Sequence, residues 1–272
     1  MGRFTGRTAF ITGAARGQGR SHALRLAAEG ADIVAIDICA QIESATYDLA
    51  TPEDLDETVG EIEKLDRRVI PVRADVRDLA ALEAAAAEAV DHLGGIDVVI
   101  ANAGIAPSGP TPDAEQTFRE VIDVNLVGVW NTLRATAPTM IEQGRGGAVV
   151  LISSVLGLSG RGSVGNVGGE AYVAAKHGVT GLMKAYANRL APHAIRVNSI
   201  HPTGVPTPMI DNEAVRRFAA ETPEAVAGMI NLMDVPWVET QDVSAAIAWV
   251  ASDEGRYVTG VSLPVDAGFL VK

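Results

Sequence analysis

The sequence predicts an α/β fold in which helices flank one doubly wound parallel sheet. Short apolar runs alternate with helical stretches along the whole chain, which is typical of strands joined by crossover helices. A glycine-rich turn lies between the first run and the first helix. No linker, repeat or shift in composition divides the chain, so residues 1–272 are expected to form a single domain.

The predicted elements follow in order along the chain. The predicted strands are Thr8–Ile11, Ile33–Ile36, Val69–Val72, Asp97–Ala101, Ala148–Ile152, Ile195–Ile200 and Val261–Val265. The last five are apolar runs that are typical of strands buried on both faces. The predicted helices are Ser21–Glu29, Glu53–Leu65, Leu79–His92, Ala114–Ala137, Ala171–Leu190 and Val243–Val250.

The first strand, turn and helix predict a dinucleotide site of the Rossmann-like kind. Glycines let the backbone turn sharply and approach a pyrophosphate, which the N-terminus of a helix attracts. Asp37 ends the second strand, eighteen residues after the last of these glycines. The turn residues predicted to bind the cofactor are Gly13, Arg16, Gly17, Gln18 and Gly19.

Two residues bear on the choice between NAD and NADP. Asp37 would accept hydrogen bonds from the adenosine ribose and would repel a 2′-phosphate, whereas Arg16 could attract that phosphate. A carboxylate facing a dianionic phosphate in a partly buried pocket is costly, so NAD is the predicted cofactor. Arg16 is then a solvated turn residue or a contact to the pyrophosphate.

Tyr172 and Lys176 lie four residues apart, behind the pair Ser153-Ser154. Helical residues with this spacing share one face. An ammonium beside a phenol stabilises the phenolate and is expected to lower the pKa of Tyr172. Such a tyrosine can give a proton to a carbonyl or take one from an alcohol. The spacing alone also fits a helix surface pair, and the other motifs favour the catalytic interpretation.

Taken together, these motifs resemble those of the short-chain dehydrogenase/reductase family over almost the whole chain. Thr12 to Gly19 resembles the family's cofactor turn. Asn125, Ser154, Tyr172 and Lys176 match its catalytic tetrad, with Ser153 as the alternative serine. The segments that resemble its other cofactor contacts are Asp75-Val76, Asn102-Ala103-Gly104 and Pro202 to Thr207, with Pro202, Val205 and Thr207 as the expected contacts.

The resemblance implies hydride transfer between an alcohol carbon and the nicotinamide C4. Tyr172 would be the general acid or base, and Lys176 would tune it and bind the nicotinamide ribose. Ser154 would hold the substrate oxygen, and Asn125 would position a water that relays the proton. The resemblance also implies that subunits pair into a homotetramer.

A narrower resemblance is to the mycofactocin-coupled, carveol dehydrogenase-like subgroup. The shared features are a long insertion at about 38–52, the segment His201-Pro202-Thr203 and the ending Leu263 to Phe269. The resemblance implies that NAD does not exchange and is reoxidised by mycofactocin, a peptide-derived redox cofactor. Apolar insertion residues, including Ile42, Tyr47 and Leu49, could fold over the adenosine end of the cofactor.

The substrate side is predicted from a lid at about 206–237 and from two departures from the family. Ser154 and Tyr172 are further apart than is common, so a longer loop from Gly160 to Gly169 is expected above the pocket. Thr203 stands where the family usually has glycine. Methionines in the lid favour an apolar secondary alcohol or ketone as substrate. They could equally pack the lid onto the domain.

Composition excludes several other classes of protein. The net charge of −12 argues against nucleic acid binding, and no apolar run approaches the length that crosses a bilayer. No signal peptide is visible, so a cytoplasmic location is expected. The single cysteine, Cys39, is expected to be inert. The five histidines lack ligand spacing, so no metal is expected, and His201 either lines the pocket or is structural.

Two alternative functions remain open at the level of sequence. One is a freely exchanging reductase, such as a 3-oxoacyl-thioester reductase that uses NADPH. The insertion and Asp37 argue against it. The other is a non-catalytic regulator that binds a nucleotide on the same fold, which would have no need of the intact tetrad.

Overall fold

Seven parallel strands form one sheet in the order β3-β2-β1-β4-β5-β6-β7. The computed structural model describes residues 2–109, 111, 113–161, 166–224 and 228–272. The strand order reverses between β1 and β4, which confirms the predicted doubly wound sheet and marks the crevice where such sheets bind ligands. The strands are β1 Thr8–Thr12, β2 Asp32–Asp37, β3 Val69–Arg73, β4 Val98–Ala101, β5 Gly147–Ile152, β6 Ile195–Pro202 and β7 Ser262–Val265.

Helices cover both faces of the sheet. They are α1 Gly17–Ala28, α2 Pro52–Glu63, α3 Leu79–Leu93, α4 Ala114–Ile122, α5 Gly128–Gln143, α6 Val167–Leu190, α7 Glu213–Glu221 and α8 Thr240–Ala251. Side chains of successive strand residues alternate between two apolar layers. Phe10 packs in the layer that holds residues of α3, α5 and α6, whereas Ile11 packs in the layer that holds those of α1, α2 and α8.

Several predicted helix bounds differ from the observed ones. The predicted helix Ala114–Ala137 consists of three segments: α4, then a π-helical segment at Asp123–Val127, then α5. The helix α5 continues beyond the predicted end, through the exposed Pro138 to Gln143. The helix α6 begins earlier than predicted because the Asn166 side chain caps it by accepting from Gly168 N at 3.0 Å. The helix α1 begins at Gly17, inside the glycine turn, so the end of the glycine turn forms the first turn of the helix.

The prediction that all five later strands are buried on both faces is wrong for β3 and β7. Their residues are partly or fully exposed, whereas those of β4 are buried throughout. The reason is position, since β3 and β7 are the two edges of the sheet. An apolar run does not reveal whether a strand lies at an edge.

The connection between β2 and α2 is an ordered segment, which we term the strap (residues 38–51). The Gln41 side chain holds it together, because Nε2 donates to three strap carbonyls at 3.2 Å each and Oε1 accepts from Leu49 N at 3.0 Å. Ile42 and Tyr47 are buried, at 5% and 9% exposure. Thr51 then caps α2 by accepting from Asp54 N.

Candidate active site

A cleft opens at the carboxyl ends of the strands, and most of the predicted site residues line it. Asn125, Ser154, Pro202 and Val205 do not line it and lie buried beside it. The predicted residues that line the cleft are Gly13, Arg16, Gly17, Gln18, Gly19, Asp37, Asp75, Val76, Asn102, Ala103, Gly104, Tyr172, Lys176 and Thr207.

The glycine turn leaves no room for side chains. A Cβ on Gly19 would lie 1.8 Å from the Gly13 carbonyl oxygen, and one on Gly13, where φ is +67°, would lie 2.9 Å from Asn102 Nδ2. Asn102 holds the turn, because Nδ2 donates to the carbonyls of Thr12 at 3.0 Å and Gly13 at 3.2 Å. The backbone is therefore exposed to a ligand at the start of α1.

The first turn of α1 has the properties of an anion site. No side chain of the described residues caps it, so its N–H groups face the cleft without a side-chain acceptor. The Gln18 Oε1 atom is also buried without a donor among those residues. A bound dinucleotide would supply phosphate oxygens to the N–H groups of this turn, and ribose or amide hydrogens to Gln18 Oε1. The residues present therefore fit such a cofactor.

Asp37 is fixed at the end of β2 and is only 8% exposed. Its carboxylate accepts from Ala15 N at 3.1 Å and from Cys39 N at 3.2 Å. Burial raises the pKa of Asp37, and these backbone donors act in the opposite direction. Burial and the Asp37 charge also raise the pKa of the Cys39 thiol to about 11, which leaves it inert.

Arg16 is bound to the strap. Its Nη2 atom donates to the backbone carbonyl oxygen of Asp48, so the guanidinium joins the glycine turn to the far side of the cleft. This contact differs from both roles considered from the sequence. This contact uses one of the five N–H donors of the guanidinium, so it directs Arg16 toward the strap and leaves its charge in place.

The remaining predicted cofactor contacts lie on two sides of the cleft. Asp75 pairs with Arg77 at 2.6 Å, and the neighbouring Val76 is buried. On the other side, the Thr207 methyl would lie 3.3 Å from a Cβ on Gly17. Thr203, which stands where the family usually has glycine, donates its hydroxyl to Asn231 Oδ1 at 2.8 Å.

Tyr172 and Lys176 are adjacent on α6, with Lys176 Nζ 5.4 Å from the centroid of the Tyr172 ring. Nζ donates to the Ile152 carbonyl at 2.8 Å. Burial raises the pKa of Tyr172 to about 12, which the Ser154 hydroxyl opposes, and burial lowers that of Lys176 to about 8. The lowering of the Tyr172 pKa that was expected from Lys176 is not seen here, because burial raises that pKa and only the Ser154 hydrogen bond opposes it.

The two serines have different surroundings. Ser153 donates its hydroxyl to the Lys176 carbonyl at 3.0 Å, so it ties β5 to α6 although it lines the cleft. Ser154 Oγ accepts from Leu156 N at 3.1 Å and lies beside the Tyr172 phenol. Ser154 therefore has one hydroxyl hydrogen, which it can give either to the Tyr172 oxygen or to a substrate oxygen.

Asn125 lies in the π-helical segment and is fully buried. Its Oδ1 accepts from Ile105 N at 2.8 Å, and its Nδ2 donates to the Ile105 carbonyl at 2.7 Å. The side chain therefore anchors the loop after β4, with one amide hydrogen left over. A π-helical turn of this kind is frequent at functional sites.

His201 is structural, which decides between the two interpretations considered from the sequence. Its Nδ1 lies 2.8 Å from the Ser154 carbonyl oxygen, and its Nε2 lies 2.8 Å from Ser199 Oγ. Burial lowers the pKa of His201 to about 4, so the ring is neutral. His201 therefore supports the backbone of Ser154 from behind the cleft.

The strap closes one wall of the cleft. Five strap residues line the cleft. Three of them, Ile42, Tyr47 and Leu49, were among those predicted from the sequence to cover the cofactor. Its outer contacts are Ser44 N to Glu120 Oε2, Ser108 N to Thr46 Oγ1 and Ala106 N to Tyr47 Oη, at 3.1, 3.1 and 3.2 Å. The strap residues in the lining are Ile38, Ile42, Tyr47, Leu49 and Ala50.

The predicted lid contributes little of itself to the cleft. Of its described residues, Thr207, Pro208 and Met209 line the cleft, whereas Met229, Leu232, Met233 and Trp237 are exposed. The segment is held to the C-terminal region because Leu232 N and Met233 N both donate to the Ala267 carbonyl. The loop expected above the pocket falls partly at 162–165, outside the described residues.

Two further points, on membrane-spanning helices and on metal ligands, concern the described ranges as a whole. None of the helices there is both long and apolar enough to cross a membrane. Nor do His, Cys, Asp and Glu side chains form a group of three that could hold a metal ion in that part of the chain.

Comparison with known proteins agrees with this geometry. The short chain dehydrogenase family matches residues 7–217. An uncharacterized oxidoreductase of Mycobacterium tuberculosis is 52% identical over 98% of this chain and 97% of its own length. The (-)-trans-carveol dehydrogenase of Rhodococcus erythropolis is 46% identical over 100% of both chains. The crystal structure of carveol dehydrogenase from Mycobacterium avium in complex with NAD superposes with a TM-score of 0.93, at 48% identity over 100% of both chains.

The chain belongs to the short-chain dehydrogenase family. It is an enzyme of the oxidoreductase class, similar throughout its length to carveol dehydrogenases. This confirms the resemblance inferred from the motifs.

Proposed function

We propose that this protein is an NAD-dependent dehydrogenase that transfers a hydride between an apolar secondary alcohol, or its ketone, and a tightly held cofactor. The observation that carries the proposal is that one cleft joins the glycine turn, Asp37 and the Tyr172–Lys176 pair, with the strap along its wall. NAD is the cofactor that the sequence predicted, and a close structural relative confirms it by being bound to NAD.

The chain's own residues divide the binding of NAD among them. The backbone of Gly13, Gly17 and Gly19 would receive the pyrophosphate, Asp37 the adenosine ribose and Lys176 the nicotinamide ribose. When bound, NAD supplies the acceptor or donor of the hydride at the alcohol carbon.

Tyr172 handles the proton at the substrate oxygen. Since its pKa lies near 12, it is a neutral phenol at pH 7 and can donate to the oxygen of a ketone. For oxidation Tyr172 must first lose its own proton to solvent, by way of the water that Asn125 could bind, and the resulting phenolate then takes the proton of the alcohol. Ser154 favours that phenolate by hydrogen bonding to it, and its hydroxyl can turn to orient the substrate oxygen. Asn125 holds the loop beside them and retains one amide hydrogen that could bind a relay water.

The substrate is proposed to be an apolar alcohol. Ile105, Tyr47 and Met209 line the same cleft as Tyr172 and offer mostly hydrocarbon surface. The similarity to a carveol dehydrogenase supports the same class. Such surfaces recognise a substrate by shape and apolar contact, with few polar anchors.

Tight retention of NAD is part of the proposal, and the strap supports it. Release requires the strap to leave Arg16, Glu120 and the loop after β4, which slows dissociation. Reduced cofactor would then pass its hydride to another carrier, for which we propose mycofactocin. We further propose a cytoplasmic homotetramer. The strap and Asp37 argue against a freely exchanging NADPH-dependent reductase.

The variant Tyr172→Phe tests the proposed chemistry. It removes only the phenolic hydroxyl, so turnover with an apolar secondary alcohol and an artificial electron acceptor should fall by roughly 10²–10⁴-fold or more. Fluorescence of bound NADH should be retained, which shows that the cleft is intact. Near-normal turnover in this variant would remove Tyr172 from the mechanism.

A further inference from the structure

Tyr47 is the strap residue that brings a hydroxyl group to the lining of the cleft. It lines the cleft together with Tyr172 and Ile105 and is 9% exposed. Its Oη accepts from Ala106 N at 3.2 Å. The preceding residue, Ile105, is hydrogen-bonded to the Asn125 side chain through both its N–H and its carbonyl. The phenol oxygen is therefore fixed at the edge of the catalytic group.

The hydroxyl hydrogen of Tyr47 is unused. A phenol both donates and accepts, and a buried phenol usually does both. Tyr47 Oη accepts one bond, and no acceptor for its hydrogen lies within reach in the described part of the chain. Burial raises the pKa of Tyr47 to about 12, so the hydrogen remains in place at neutral pH. The strap thus presents a fixed donor to whatever fills the cleft.

The position of Tyr47 along the cleft limits what this donor can meet. The Arg16 guanidinium and the Tyr172 phenol both lie close enough to act electrostatically on the Tyr47 hydroxyl. Arg16 belongs to the glycine turn, where the pyrophosphate is expected, and Tyr172 marks the reacting end. Together with the bond from Ala106 N, next to the Ile105 backbone that Asn125 holds, these neighbours place the Tyr47 hydroxyl on the Tyr172 side of the cleft, whereas the sequence led us to expect Tyr47 over the adenosine end.

We propose that Tyr47 is a positioning residue for the cofactor and donates its hydroxyl hydrogen to an oxygen in the nicotinamide half of NAD. The acceptor is a ribose hydroxyl or a phosphate oxygen, which present the same chemistry to a donor. The inference rests on the proposed function, since it requires NAD in this cleft. It gives the strap a role in binding as well as in covering the cofactor.

The test compares the rate of NADH release from three holoprotein variants, followed by fluorescence after addition of excess NAD. Tyr47→Phe keeps the ring and removes the hydroxyl, and release should accelerate by roughly 2- to 10-fold beyond any loosening of the strap. Thr46→Ala is the matched control for loosening, because it removes the neighbouring bond to Ser108 N and leaves the phenol intact. Tyr257→Phe is the control for the substitution itself, at a side chain that is 89% exposed.

The outcomes separate the proposal from its alternatives. Faster release in Tyr47→Phe than in Thr46→Ala supports a bond to the cofactor. Equal release rates in these two variants would show that Tyr47 only fastens the strap, and would overturn the proposal. Unchanged release with a raised KM for the alcohol would assign the donor to the substrate and also overturn it. If the wild-type protein holds no NAD(H) at all, the proposed function itself fails.

Discussion

At the residue scale, the choice of cofactor depends on a carboxylate and a guanidinium that lie on the same rim. Asp37 is held by two backbone N–H groups and faces the cleft as a fixed negative charge. Arg16, the residue that could attract a 2′-phosphate, donates one of its N–H groups to the Asp48 carbonyl. We therefore expect Asp37 to select the dinucleotide and Arg16 to link the glycine turn to the strap.

Asp37→Asn should reduce the preference for NAD over NADP by at least about tenfold, because it removes the repulsion of a 2′-phosphate. The measurement is the affinity of each dinucleotide for cofactor-stripped protein, by calorimetry. Arg16→Ala is the matched comparison, and it should leave the preference unchanged while it accelerates release of NADH. A larger change of preference in Arg16→Ala than in Asp37→Asn would reverse these assignments.

The residues of the site could be predicted from the sequence wherever they belong to a local motif. The glycines, Asp37 and the Tyr172–Lys176 pair are spaced by the turn and helix that carry them. The contacts of Arg16 with Asp48 and of Tyr47 with Ala106 could not, because each joins segments far apart in the chain. The raised pKa of Tyr172 also depends on burial, which spacing does not reveal.

At the scale of elements, the strap is the part of the fold that most distinguishes this site. Its length was visible in the sequence, and the side chains that order it were not. The exposed Gln41 side chain hydrogen-bonds to four backbone groups in a segment without helix or strand. Such a segment has no periodic pattern from which its path could be predicted. Sequence patterns likewise did not reveal that β3 and β7 lie at the edges of the sheet and are partly exposed.

At the scale of the whole molecule, packing against the sheet leaves two histidines buried and neutral. His22 lies between α1 and α8, where its Nδ1 is 2.8 Å from Ser244 Oγ and its Nε2 has no partner among the described residues. Burial lowers the pKa of His22 to about 3, and that of His201 to about 4. The unfolded chain binds protons at both positions near pH 6.5, so each histidine links folding to pH.

The free energy of unfolding should therefore decrease as the pH falls below 6.5. Because the folded-state pKa of His22 is depressed to about 3, the neutral ring contributes stability above the unfolded pKa, and this stability is lost as the pH falls. Between pH 7 and pH 5 His22 alone should cost about 2 kcal/mol. Urea unfolding at pH 7 and pH 5 measures this loss. The loss should shrink by a similar amount in His22→Gln and persist in His193→Gln, whose side chain is exposed. An equal loss in both variants would contradict the account.

The central claim is that the strap holds NAD in the cleft throughout the catalytic cycle. It is tested most directly by the dinucleotide content of the purified protein, released by denaturation after gel filtration and identified by absorbance and mass. We expect a stoichiometric amount of NAD(H) in the wild-type protein and a clear loss in Gln41→Ala, which removes the amide that orders the strap. A wild-type protein that purifies empty and steadily reduces added NAD with an alcohol would contradict the claim.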